Sequence, residues 1–220
     1  MIQWKLGPRL SAVASFIREG DRIADVGTDH AMLPVWLLEN GKVSHAIASD
    51  IHEGPLRAAR VTAAKSETEH IEFRLCGGLS GIESREADTV IIAGMSGETM
   101  QTILEEADWD WSGKCLILQP MTHQKEILEW LYHHGFHVDG ECFAEEHGSI
   151  YRIFSVVAGS ESMPRLAYLW GGFTDGAYAQ RIAARLNRAA EGIKAANQVN
   201  ESHLNEITAI LEDMRDAYGW

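Results

Sequence analysis

The strongest constraint on this chain is a rhythm. Short runs rich in β-branched residues alternate with amphipathic stretches through the first 158 residues. The pattern predicts strands at 22–26, 45–50, 71–75, 88–93 and 114–119, with two more near 136–144 and 149–157. Helices are predicted between the first five, at 31–40, 53–66, 96–107 and 122–134. Pro8 suits the first turn of an opening helix that ends before Gly20, because a first-turn N–H has no partner to lose. Strand–helix alternation of this length requires right-handed crossovers, hence a mostly parallel, doubly wound sheet. The last two strands differ. Only a turn around Glu146, His147 and Gly148 joins them, too short for a helical crossover, so they pair antiparallel.

Five βα units followed by a hairpin is the layout of the seven-stranded, Rossmann-like sheet of S-adenosylmethionine (SAM)-dependent methyltransferases, an α/β fold. Residues 159–164 read as a linker. Beyond Gly176 the period becomes helical. Ala179, Ile182, Leu186, Ala189, Ile193 and Ala196 form one apolar seam, and Leu204, Ile207, Leu211, Met214 and Tyr218 a second. With a turn at 197–202 between them, these seams predict an antiparallel α-helical hairpin of coiled-coil type. The expected division is therefore a SAM-binding domain over 1–158 and a helical hairpin over 159–220. A chain of 220 residues buries roughly 70% of its unfolded surface and needs no staple. Cys76, Cys115 and Cys142 lie far apart, with no CxxC, and read as reduced thiols of a cytoplasmic protein. No apolar run approaches the ~20 residues of a membrane span, and the amino terminus lacks a signal-peptide h-region.

Charge sets a difficulty for one class of partner. The net charge is −13, with −11 on residues 1–158 (13 basic, 24 acidic) and −2 on 159–220 (6 basic, 8 acidic). Nucleic-acid binding rests on phosphate neutralisation, so a nucleic acid would have to dock on a local basic patch.

Open α/β sheets bind ligands beyond the carboxyl ends of their strands, at the switch point. Strand one is followed by Gly27, Thr28, Asp29 and His30. A dinucleotide fingerprint starting at Gly27 would need glycines at 29 and 32, where Asp29 and Met32 stand. A carboxylate there would face a pyrophosphate, which argues against NAD or FAD. SAM has no phosphate and carries an ammonium beside its sulfonium, so a mouth with Asp25 and Asp29 suits it. The alternative is that Asp25 only terminates the strand and Asp29 caps the next helix. Asp50 ends strand two, where an acid accepts ribose hydroxyls; as an alternative it caps the helix near Glu53. After strand three, Gly77 and Gly78 let a flat adenine lie against backbone. After strand four, Ala93, Gly94, Met95 and Ser96 leave room for ligand and methyl acceptor, and strand five ends in Gln119, Pro120 and Met121. Elsewhere, His133, His134 and His137 read as a solvated helix terminus and no metal site is expected. Trp109 and Trp111 either stack on a base or pack under their loop. Arg181, Arg185 and Arg188 form either a phosphate-contacting stripe or a solvated helix flank.

DVGTDHAMLP (25–34), IIAGMSG (91–97), LILQPM (116–121) and GSIYRI (148–153) resemble the bacterial TrmK family of tRNA (adenine-22-N1)-methyltransferases, and PRLSAVASFI (8–17) is similar to that family's first helix. The resemblance covers about residues 6–157. It implies transfer of the SAM methyl to N1 of an adenosine in tRNA. By the same resemblance, Asp25, Gly27, Thr28 and His30 line the methionine part and Arg9 pairs with its carboxylate. Asp50 and Ile51 take the ribose, Gly78 and Leu79 the adenine, and Ala93, Gly94 and Met95 border the methyl-transfer space. Asp29 is the candidate to stabilise the cationic product base. The helical hairpin, with Arg9, Arg57 and Arg60, would frame the tRNA face, and a monomer is expected. Two positions depart from the family, Gly77 where Asp or Asn is common and Ser96 where AGMGG is common. A small-molecule or protein acceptor, or a silent SAM-binding module, are the alternative functions.

Overall fold

The computed structural model describes residues 5–196 and 200–220 and divides them into two compact units, Met1–Glu161 and Ser162–Trp220. The first unit opens with α1 (Pro8–Ser15), β1 (Arg22–Val26), α2 (Met32–Glu39), β2 (His45–Asp50), α3 (Glu53–Ser66) and β3 (Ile71–Leu75). It continues with β4 (Thr89–Ser96), α4 (Gly97–Glu105), β5 (Cys115–Thr122), α5 (Gln124–His133), β6 (Phe136–Glu146) and β7 (Ser149–Ala158). The sheet has seven strands in the order β3-β2-β1-β4-β5-β7-β6. Strands β1 to β5 are parallel, and β7 runs antiparallel to both β5 and β6. The chain steps outward from β1 to β3 and returns to β4 beside β1, so the switch point lies between β1 and β4. The inner strands read as continuous apolar runs because both of their faces are covered: Ile23, Ala24, Val90, Ile91, Ile92, Ile117 and Leu118 have essentially no exposed surface.

The junctions between β4 and α4 and between β5 and α5 lie later than their sequence-based positions. β4 runs on to Ser96, and α4 starts at Gly97 rather than 96. Gly94, at φ +80°, makes a bulge, after which Met95 pairs with Pro120 and Ser96 with Thr122. The same pairing carries β5 to Thr122 and delays α5 to Gln124. Ser96, one of the two departures from the family pattern, caps α4: its Oγ accepts from the Thr99 N–H at 3.1 Å. Gly97 sits where a Cβ would collide with the backbone carbonyl of His123. Backbone cannot swing aside as a side chain can. Gly97→Ala is therefore expected to cost about 1–3 kcal/mol of stability, read as a lower denaturation midpoint at unchanged slope.

The second unit holds α6 (Leu166–Gly171), α7 (Gly176–Ala195) and α8 (Glu201–Tyr218). α7 and α8 are the expected helical pair, but α6 was not expected. Its six residues are too short to show a period. It packs on both long helices, and at Gly171 a Cβ would crowd Met214 and Tyr218. This third helix widens the apolar stripe. Ala183, Ala190 and Ile210 join the buried set, whereas Ala189 and Ala196 of the predicted seam are exposed. Glu201 and Ser202 belong to α8 rather than to the turn, with Asn200 accepting from His203 N–H as its cap. The rest of the predicted turn, 197–199, lies outside the described residues. Asp175 caps α7, and Asp213 accepts from the Ala167 N–H while pairing with Arg165.

Candidate active site

At the carboxyl ends of β1, β2 and β4 lie two adjoining depressions that share Gly27. The first, about 280 Å³, is lined by Arg9, Asp25, Gly27, Thr28, Asp29, His30, Ala93 and Gly94, with Leu10, Met32 and Leu33. The second, about 170 Å³, is lined by Asp50, Ile51, Gly78 and Met95, together with Val26, Gly27, Cys76, Thr99 and Ile103. The turn after β1 is tied to β2, because the N–H groups of Gly27 and Thr28 both donate to the Ser49 carbonyl, at 2.8 and 2.9 Å. Gly27 holds φ +75°, and a Cβ there would collide with the Met95 methyl. Met95 therefore lies against the Gly27 backbone, at the border of the two depressions.

Asp25 dominates the electrostatics. It is 7% exposed, and its Oδ2 accepts from the Thr28 hydroxyl at 2.6 Å. Burial pushes its pKa up to about 6, against the opposing pull of the Thr28 hydrogen bond and of the Arg9 charge. A desolvated carboxylate beside an open depression favours a cationic ligand group. Arg9 donates from Nη1 to Gln119 Oε1 at 2.8 Å, and its Nη2 N–H groups have no hydrogen-bond partner among the described residues. In the second depression, Asp50 Oδ1 accepts from the His52 N–H at 2.8 Å, which stabilises the turn into α3. Its other oxygen has no hydrogen-bond partner among the described residues, so the turn and the ligand readings of Asp50 are compatible.

Asp29 does not cap α2. That helix begins after Ala31 with no side-chain cap, and Asp29 is an exposed left-handed residue, φ +50°, 3.6 Å from His30. Two expected cofactor residues fall outside the linings. Leu79 is 3% exposed, its side chain turned into the core, and Gly77 lies beside the second depression rather than on it. A Cβ at Gly77 would meet only Ile51, at 3.8 Å, so packing does not demand glycine there. Gly78 is different: it holds φ +54° and lies against Ile103 of α4. Thr99 and Ile103 were missed because they sit inside a helix whose pattern reads as ordinary amphipathy. Trp109 and Trp111 lie at the amino end of β5, away from the mouth. Their rings pack 5.0 Å apart, and Trp109 donates to the Ile82 carbonyl. Arg60 is engaged by Glu53 at 2.6 Å and lies over Phe73.

A model of a methyltransferase domain matches residues 6–154. A tRNA (adenine(22)-N(1))-methyltransferase of Bacillus subtilis is 41% identical over 161 residues, 72% of this chain and 68% of the relative. The chain belongs to this methyltransferase family. Solved structures also match across nearly all of the chain. The crystal structure of the B. subtilis m1A22 tRNA methyltransferase TrmK superposes with a TM-score of 0.85 at 31% identity, covering 97% of this chain and 98% of that one. The Streptococcus pneumoniae protein Sp1610, solved in complex with S-adenosyl-L-methionine, superposes at 0.79 with 30% identity, covering 96% and 99%. Both matches extend through the second unit, which the sequence resemblance reached only as a helical pattern.

Proposed function

We propose that the paired depressions bind SAM and that the enzyme methylates N1 of adenosine 22 in tRNA. The observation that carries this reading is the first depression, where the buried carboxylate of Asp25 and the open edge of Arg9 face one cavity. An amino acid offers an ammonium and a carboxylate to match them. Asp25, with Thr28 and His30, takes the ammonium end, and Arg9 the carboxylate. Asp50 and Ile51 hold the ribose, and Gly78 backs the adenine, in the less polar second depression. When bound, SAM supplies an electrophilic methyl.

Adenine N1 has an in-plane lone pair at neutral pH, so no strong base is needed. The residues act mainly by holding the base in line, with Ala93, Gly94 and Met95 bordering the transfer space. Methylation leaves the ring cationic, and the exposed carboxylate of Asp29 stabilises that charge as it develops. The adenosine leaves its stack to reach the cleft. Arg181, Arg185 and Arg188, all exposed on α7, anchor the tRNA backbone. No helix among the described residues is long and apolar enough to cross a membrane, and the proposed site of action is the cytoplasm, as a monomer.

Incubation of tRNA with protein and SAM, followed by mass mapping, should show one added methyl on the adenine at position 22. Transfer to another nucleotide, or none, would overturn the assignment. In the same assay Asp29→Asn should lower the single-turnover rate more than SAM affinity; the reverse pattern would make Asp29 a cofactor contact.

A further inference from the structure

Gln119 is a fully buried polar side chain whose position the cofactor reading leaves unexplained. It lies on β5, and its Oε1 accepts from Arg9 Nη1 at 2.8 Å, while its Nε2 has, among the described residues, only the weak acceptor Met121 Sδ at 3.4 Å. A guanidinium only donates, so the amide must turn its oxygen to Arg9. Arg9 is held from two further directions. Glu146, the last residue of β6, lies 3.9 Å from Nε, and the Tyr151 ring of β7 lies 5.8 Å away. Gly94, which has no side chain, leaves the remaining flank open; even a Cβ there would stand 3.7 Å from Nη1. Three strands thus fix one edge of an arginine that belongs to the first turn of α1. The Nη2 edge is left without a hydrogen-bond partner among the described residues.

We propose that Gln119 is a positioning residue for the cofactor: it aims Arg9 so that the free edge receives the amino-acid carboxylate of SAM. The inference rests on the first depression being the methionine site. An arginine loses much rotamer freedom on binding, and holding it in place beforehand lowers that cost. An amide does this without neutralising the guanidinium, whereas a glutamate at 119 would compete with the ligand and add a second desolvated acid near Asp25.

The test compares two probes by calorimetry. S-adenosylhomocysteine carries the amino-acid carboxylate, and 5′-methylthioadenosine lacks it along with the ammonium. Gln119→Met keeps length and bulk but removes the acceptor; Gln119→Asn keeps an amide too short to reach, and serves if the first variant does not fold. Either should weaken S-adenosylhomocysteine by roughly five- to tenfold, the scale of one ordinary hydrogen bond, and leave methylthioadenosine within about twofold. In an Arg9→Gln background the same change should add little, as expected for residues acting as a unit. Equal losses for both probes, no loss for S-adenosylhomocysteine, or additive losses with Arg9→Gln would overturn the proposal. Failure of the unmodified protein to bind S-adenosylhomocysteine would instead overturn the site reading beneath it.

Discussion

Asp25→Asn is expected to make the protein more stable and at the same time poor at binding SAM. Burial raises the Asp25 pKa from 3.8 to about 6, so at neutral pH the folded state carries a carboxylate that the unfolded chain holds more comfortably in water. That displacement corresponds to on the order of 3 kcal/mol, most of which an amide avoids while still accepting the Thr28 hydroxyl. A gain of about 1–2 kcal/mol would raise the melting temperature by a few degrees. Loss of a charge-assisted hydrogen bond to the ligand ammonium should weaken SAM by roughly ten- to a hundredfold. The pH dependence has a definite sign. Above pH 6 Asp25 is charged, its cost is fully present, and SAM binds. As pH falls through 6 toward 4, protonation relieves the cost, so this group's contribution to apo stability improves while SAM affinity falls. In Asp25→Asn both trends should vanish. At lower pH, Glu86 and Asp88 act oppositely: Arg74 and Arg22 hold their pKa values near 2, so their stabilisation is lost as pH drops from about 4 toward 2. A lowered melting temperature in Asp25→Asn, or unchanged SAM affinity, would remove Asp25 from the proposed role.

Replacing Arg181, Arg185 and Arg188 together by glutamine should leave SAM binding intact and cut tRNA binding at least tenfold near 0.1 M salt. Each lost phosphate contact removes close to one counterion-release unit, so the salt slope should flatten by about two to three. The charge arrangement supports this. α7 carries these arginines and Lys194 against Glu191 alone, whereas α8 carries five acids against Arg215. Segregation on two helices leaves α7 net positive within a protein of net charge −13. The arginines are exposed, and Ile182, Leu186 and Ala190 occupy the buried stripe between them, so folding should survive. If tRNA affinity and slope both persist, the anchoring surface lies elsewhere.

The sequence by itself determined the sheet. Alternation and β-branching set the strands, and the short turn around Glu146, His147 and Gly148 forced the last pair antiparallel, because these are local rules of period and reach. It also determined which turns meet at the mouth, since ligands of such sheets collect beyond strand ends, and Asp25, Gly27, Asp50 and Gly94 all stand there. Only the tertiary structure decided what depends on distant partners. Leu79 looked available and is packed inward; Thr99 and Ile103 looked like ordinary helix positions and line the cleft. α6 was invisible because six residues carry no period, yet it widened the buried stripe of two longer helices. Gln119 stood in plain view at a strand end, but its partner is 110 residues away. A side chain's neighbours across a sheet and its solvation are set by the packing of the whole unit, so the sequence could name the turn that holds Asp25 but not the burial that charges it with its function.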